Sequence, residues 1–283
     1  MPHLASFKSG WESENLARFI LCKFSFIANP ASVSDDIGID FFCTLFQRRL
    51  INTKEFLIPR NSFAIQIKSN TNKLDFTDKV QYLEQLELPF LIGIVDRSEM
   101  KLTMYSGEYI PLLFSQIGPP KYIEIDFQER DLVNSNNYFR QEGEKITLTF
   151  PKTIELTATI DRDELIQVTD VLFNVITLIQ DNISSKRNGE YIFRLIPPNL
   201  AEAFIHAGPG SFRHFRKNFL FRLAEVYYNL AWIYINRPNE FNNEEYSLYR
   251  KLYEDLEKCY HPLPNVVKYS HIELEKVVTG KIK

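Results

Sequence analysis

Apolar residues change their spacing several times along the first hundred positions, and each change marks an element. Between 11 and 27, Leu16, Phe19, Ile20 and Lys23 follow the i, i+3, i+4, i+7 order of a helix face with an apolar majority. Asn29-Pro30 then supplies a stop. A polar loop with Asp35, Asp36 and Gly38 precedes 39–47, which is rich in Phe and Leu and reads as a strand. Residues 48–61 are charged and contain Pro59, and read as a long connection or a hairpin. In 62–69 the period drops to two: Phe63, Ile65 and Ile67 take one face, and Ala64, Gln66 and Lys68 the other. A short helix is predicted over 79–86, ended before Pro89. Residues 89–96 are almost continuously apolar, as in a strand covered on both faces, and 101–105 reads as its hairpin partner.

The pattern shifts after Pro119-Pro120. Residues 121–160 hold β-like segments at 145–150 and 153–160, and from 163 onward helices dominate: 163–184, 199–206, 212–235 and 243–260. We expect an α/β part at 1–120, a β-containing connection at 121–160 and a mainly helical accessory region at 161–283, with one continuous domain as the alternative.

Composition narrows the classes. Of 283 residues, 45% are apolar and 24% charged, which excludes long disorder and collagen-like repeats. The formal charge of −3 excludes a globally basic nucleic-acid binder but leaves room for a local basic groove. Glycine is scarce, and neither GxxxxGK[ST] nor GxGxxG occurs. Cys22, Cys43 and Cys259 form no CxxC pair and read as free thiols in a reducing cytosol. No signal peptide or uninterrupted apolar run suits export or a membrane span, so the expected location is cytoplasmic, with no membrane partner.

The chemistry concentrates on the polar positions of the first half. Gln66 and Lys68 are two apart on one strand and point the same way. If the strand begun by Asp40 is its neighbour, Asp40 and Gln66 converge on one ion, with Lys68 beside it. An oxygen-rich site of this kind suits Mg2+ or Mn2+. Such an ion polarises a phosphodiester and lowers the pKa of a water, while a lysine stabilises developing charge.

In order, Gly10-x-x-x-Glu14-x-x-Ala17-x-x-x-Leu21, Asp36-Ile37-Gly38-Ile39-Asp40 and Phe63-Ala64-Ile65-Gln66-Ile67-Lys68-Ser69 resemble the PD-(D/E)xK nuclease superfamily. More narrowly they resemble its DUF4365 branch, in which a D-x-G-x-D turn precedes a Q-x-K strand. The likeness covers residues 8–115, including Pro89 to Asp96. It implies a restriction-endonuclease-like mixed sheet flanked by helices, metal-dependent cleavage of nucleic acid, DNA before RNA, and a role in bacterial antiviral defence. It also implies Asp40 as the metal-binding aspartate, Gln66 as a ligand through its amide oxygen, the Ile67 carbonyl as a further ligand, Lys68 as the catalytic lysine and Glu14 approaching from the first helix. Gln66 departs from the superfamily's commoner carboxylate and removes one negative charge. A catalytically silent module that recognises nucleic acid or protein is therefore the alternative.

Each residue also has a plainer role open to it: Lys68 reaching solvent, Gln66 bonding a loop, Asp40 making a turn, Glu14 solvated in a first turn. Arg48 and Arg49, with Lys54 and Arg60, are candidates to touch a phosphate backbone beside the site. Arg213, Arg216 and Lys217, interleaved with Phe212, Phe215 and Phe219, are candidates farther on. Either group is equally well read as a solvated face. The five histidines show no HxxxH or HExxH spacing. The aromatic helices of the second half suit a homo-oligomer contact or a partner subunit.

Overall fold

The structure, a computed structural model, describes residues 2–30, 38–51, 54–71, 74–76, 79–133, 137–190, 192–196, 203–206, 212–237 and 242–280. Helix α1 (Pro2–Leu21) leads into a short strand, β1 (Ser25–Ala28). The helix predicted to run to 27 stops at Leu21 because the Ser25 hydroxyl donates to the Leu21 carbonyl at 2.9 Å. Phe26 and Ile27 then pair with Thr44 and Cys43 of β2 (Phe41–Ile51).

Strand β2 and strand β3 (Lys54–Lys68) make one long antiparallel hairpin, so the hairpin alternative for 48–61 is the observed one. Pro59 is accommodated where the register shifts, opposite Phe46, since a bulge does not require its missing N–H. There follow β4 (Leu74–Asp75), α2 (Val80–Gln85), β5 (Phe90–Asp96), β6 (Lys101–Ser106), α3 (Ile110–Gln116), β7 (Tyr122–Gln128), β8 (Phe139–Glu142) and β9 (Lys145–Thr157). The two β segments expected at 145–150 and 153–160 fall on the single strand β9, which ends at Thr157, short of the expected 160.

The strands form one mixed sheet in the order β1-β2-β3-β5-β6-β9-β7-β4, with β8 also paired to β9. The β3–β5 and β7–β9 pairs are parallel. Residues 121–160 are therefore part of the sheet rather than a connection. One face carries Phe63, Ile65, Leu91 and Leu102, packed with Ala17, Ile20 and Leu21 of α1 and with Leu172 and Ile176 of α4 (Arg162–Asn188). The other carries Ala64, Phe90 and Ile92, packed with Val80 and Leu83 of α2 and Leu112 and Leu113 of α3. Strand β5 is thus buried on both faces, as its unbroken apolar run required.

A two-stranded ribbon, β10 (Ile192–Leu195) with β11 (Ala203–His206), follows α4. The helix predicted over 199–206 is corrected here: 203–206 is extended and pairs with β10 in full, and 199–202 lies outside the described residues. The Asn182 side chain of α4 bonds both the N–H and the C=O of Arg194, which fixes β10 to the helix.

Two compact units result: 1–187 with 192–207, and 188–191 with 208–283. The boundaries expected at 120 and 161 fall inside the first. The second contains α5 (Phe212–Asn236), α6 (Asn243–Cys259) and α7 (Asn265–Val278), closed round Tyr227, Ala231, Leu256, Val267 and Leu274. The architecture is thus α/β, a mixed sheet flanked by helices, with a helical C-terminal region. Among the described residues no helix is long and apolar enough to cross a membrane.

Candidate active site

The site forms where β2 and β3 part. Gly38, at φ +75°, turns the chain into β2 through a conformation that glycine enters without strain. Asp40 follows, and its N–H donates to the Ile65 carbonyl at 3.0 Å. Its carboxylate then accepts the Ile67 N–H at 2.5 Å, in place of the next rung of the ladder. The Ile67 N–H therefore faces Asp40, and in an extended strand the carbonyl of a residue leaves on the same side as its N–H.

Continuing the β2–β3 register sets Asp40 opposite Gln66. Gln66 and Lys68 lie on the face of Ala64, the one covered by α2. Gln66 is only 7% exposed, and its Oε1 is buried with no hydrogen-bond partner. A buried acceptor left unsatisfied costs about 1–3 kcal/mol, so the exception calls for an explanation. Lys68 is half-buried and makes no ion pair with a described residue.

Around these groups the structure places a residue that the motif did not point to. A Cβ on Gly38 would come within 2.8 Å of Lys79 Nζ and 2.9 Å of Gln66 Nε2. Lys79 immediately precedes α2, whose Val80 and Leu83 pack on the Gln66 face. A lysine in a polar stretch between two strands carries no spacing signal, so only the fold could bring it here.

The other predicted residues belong to other elements or to the far arm of the hairpin. Glu14 is on α1, one turn before Ala17, and that helix packs on the opposite face from Gln66 and Lys68. Arg49 is exposed on the far arm of the hairpin, where it pairs with Phe56. Arg48 neighbours it, though its side chain lies outside the described residues. Eight or nine residues at about 3.3 Å each put these arginines roughly 26–30 Å along the strand from Asp40, so they do not flank the site. Arg216 and Lys217 are exposed on α5, in the other compact unit. The Arg213 side chain, Asp35, Asp36 and the 208–211 loop lie outside the described residues.

The sheet face continues beyond Lys68 in two cross-strand rows. Lys68 is level with Ile94, Thr103 and Glu155; Gln66 is level with Ile92, Tyr105 and Lys152. An open groove of about 740 Å3 is lined by Ser69, Asn70, Ile94, Thr103, Tyr105 and Glu155, so it begins at the residues that follow Lys68 and runs across β5, β6 and β9. Its lysines are neutralised locally: Lys152 lies 3.0 Å and Lys101 3.6 Å from the Glu155 carboxylate. Hydrogen bonding from Lys152, with the charges of both lysines, holds the Glu155 carboxyl below its ordinary range.

No family model matches the chain, and no curated protein or solved structure matches it either. The donor set must therefore speak for itself. Among the described residues no group of three or more His, Cys, Asp and Glu side chains is placed to hold a metal. The oxygens at the site are of a different make-up: one carboxylate, one amide oxygen and one backbone carbonyl. All three are hard donors of the kind that Mg2+ or Mn2+ accepts, and the unpartnered Gln66 Oε1 is the atom such an ion would satisfy. The thiols offer no rival centre: Cys43 is buried, and burial pushes its pKa up to about 12.

Proposed function

We propose that this chain is a metal-dependent nuclease that hydrolyses phosphodiester bonds, in DNA before RNA, on a restriction-endonuclease-like sheet. What carries the reading is one juxtaposition. Asp40, the orphaned oxygen of Gln66 and the unpaired ammonium of Lys68 belong to the same end of two adjoining strands. Asp40, Gln66 and the Ile67 carbonyl would hold Mg2+ or Mn2+, which supplies Lewis acidity and a water of lowered pKa when bound. Lys68 would stabilise the charge that develops on the phosphate, and with no carboxylate partner among the described residues it is available for that. Glu14 is left out of this assignment: Ala17, the next turn of its helix, packs on the face opposite to Gln66 and Lys68.

The test is cleavage of plasmid, single-stranded DNA and RNA with Mg2+, Mn2+ or EDTA. Asp40→Ala and Lys68→Ala should each lower the metal-dependent rate by about 10²–10³-fold while leaving the melting temperature close to wild type. Equal cleavage by purified Asp40→Ala protein would refute the site. One observation favours the silent module instead: the Asp40 carboxylate already closes the strand end by taking the Ile67 N–H. Binding of nucleic acid with no metal-dependent cleavage would decide for it. The helical unit would then, as in the nuclease reading, serve assembly or target engagement, with sedimentation as its check.

A further inference from the structure

The nuclease reading leaves Lys79 unused, although its ammonium and the Gln66 amide border the same space over Gly38. Its Nζ and the Gln66 Nε2 converge over Gly38, each within 3 Å of the position a Cβ would occupy there. Both are N–H donors. Neither has a hydrogen-bond or ion-pair partner among the described residues. Two donors bordering the same space, with no acceptor from a described residue bonded to either, form half of an anion-binding arrangement.

Charge points the same way. Among the described residues at the site, Asp40 contributes one negative charge, while Lys68 and Lys79 contribute two positive ones, and a bound divalent ion would add to the excess. In the neighbouring groove Lys101 and Lys152 are matched by Glu155 and Glu129, so that surface has no comparable excess. A carboxylate at position 66 would have cancelled one of the site lysines; the amide does not. Among the described residues the balance at the parting of β2 and β3 is thus positive, which favours an anion.

We propose that Lys79 is a phosphate-holding residue, its ammonium taking a non-bridging oxygen of the phosphodiester together with the Gln66 amide N–H. The assignment rests on the nuclease reading for its ligand class and names where the backbone of that substrate is gripped. Gly38 has a stated part: any side chain there would enter the space the two donors share.

The experiment measures affinity of the full chain for fluorescein-labelled single-stranded DNA, duplex DNA and RNA in EDTA, so that no cleavage intervenes. It is run over a salt series with wild type, Lys79→Met and Lys79→Arg. Lys79→Met should weaken binding about 3- to 10-fold at low salt. It should also make the slope of log K against log salt shallower by about 0.7–0.9, the release associated with one phosphate contact. Lys79→Arg should restore both. Calorimetric Mn2+ affinity without nucleic acid should not fall in Lys79→Met, which separates a phosphate ligand from a support for the metal.

Unchanged affinity and slope in Lys79→Met, in a protein whose cleavage still depends on Asp40, would overturn the inference and leave the nuclease reading standing. A lowered melting temperature with an unchanged slope would also overturn it, showing instead that Lys79 serves the Gln66 carbonyl as a structural donor. Lys79-dependent binding without any cleavage would keep the phosphate contact and discard the nuclease. No binding and no cleavage by wild type would discard both.

Discussion

In the proposed nuclease the chemistry would turn on Gln66, because it offers a neutral oxygen where a charged one would ordinarily serve a metal. Its burial removes water as an alternative partner, and its neutrality leaves both nearby lysines uncancelled. Gln66→Glu should tighten Mg2+ and Mn2+ binding, since hard cations prefer carboxylates. It should also loosen nucleic acid in EDTA, because the new charge offsets Lys68 and Lys79. Calorimetry and the salt series measure the two arms separately, and equal or weaker metal affinity would remove Gln66 from the ligand set. The phasing of this residue was legible in advance: the period-2 alternation of 62–69 fixed Gln66 and Lys68 to one face, and a one-residue slip would have sent both to the other. Lys79 was not legible, since its place depends on how α2 crosses the sheet. Nor was the place of Glu14 legible. Its helix is evident from the sequence, but the face on which that helix packs is a tertiary fact.

Elements with a strong period were legible, and those decided by pairing were not. Strands β3 and β5 are found where alternation and a continuous apolar run put them. The 203–206 segment, by contrast, lies in a run containing Ala201, Glu202 and Ala203, good helix formers, yet it pairs with Ile192–Leu195. Local propensity loses there to a ladder it could not register. Buried polar junctions between elements are the least visible of all. Glu108, wholly buried between β6 and α3, accepts from the Ser106 hydroxyl at 2.6 Å and from Arg130 through both terminal nitrogens, at 2.7 and 3.1 Å. Arg130 Nε also reaches the Lys152 carbonyl at 3.2 Å, so this pair ties the β6–α3 corner to β9. Arg130→Met would strand a buried carboxylate and should cost about 3–5 kcal/mol. Adding Glu108→Gln should recover part of that loss. Urea unfolding of the single and double variants checks it, and a loss below about 1 kcal/mol would mean that water reaches Glu108.

At the level of the molecule, the helical unit has its own core, and that core carries a titrating group. The aromatic residues of α5 read in the sequence as a surface for partners, but Tyr227 is fully buried. Its hydroxyl shares a 2.6 Å hydrogen bond with His271 Nδ1, and the His271 ring stacks on Tyr253 at 3.6 Å. Burial pulls the His271 pKa below its ordinary 6.5, against the opposing pull of Glu275, whose carboxylate lies 3.8 Å from Nε2. Arg250 adds to the lowering, while the charges of Glu254 and Glu257 oppose it. A histidine held neutral in the folded state binds fewer protons there than in the unfolded chain. Its contribution to stability is therefore complete above about pH 6.5 and is lost as pH falls through that value toward the folded pKa. The slope cannot exceed about 1.4 kcal/mol per pH unit, the value for one proton. Hydrogen exchange resolved by segment should show α5, α6 and α7 losing protection as pH falls below about 6.5, before the ordinary carboxylate range is reached. His271→Asn, which keeps an acceptor for Tyr227 without a titrating ring, should flatten that dependence. If the variant lost protection over the same interval as wild type, the titration would belong to another group and His271 would be a packing residue only.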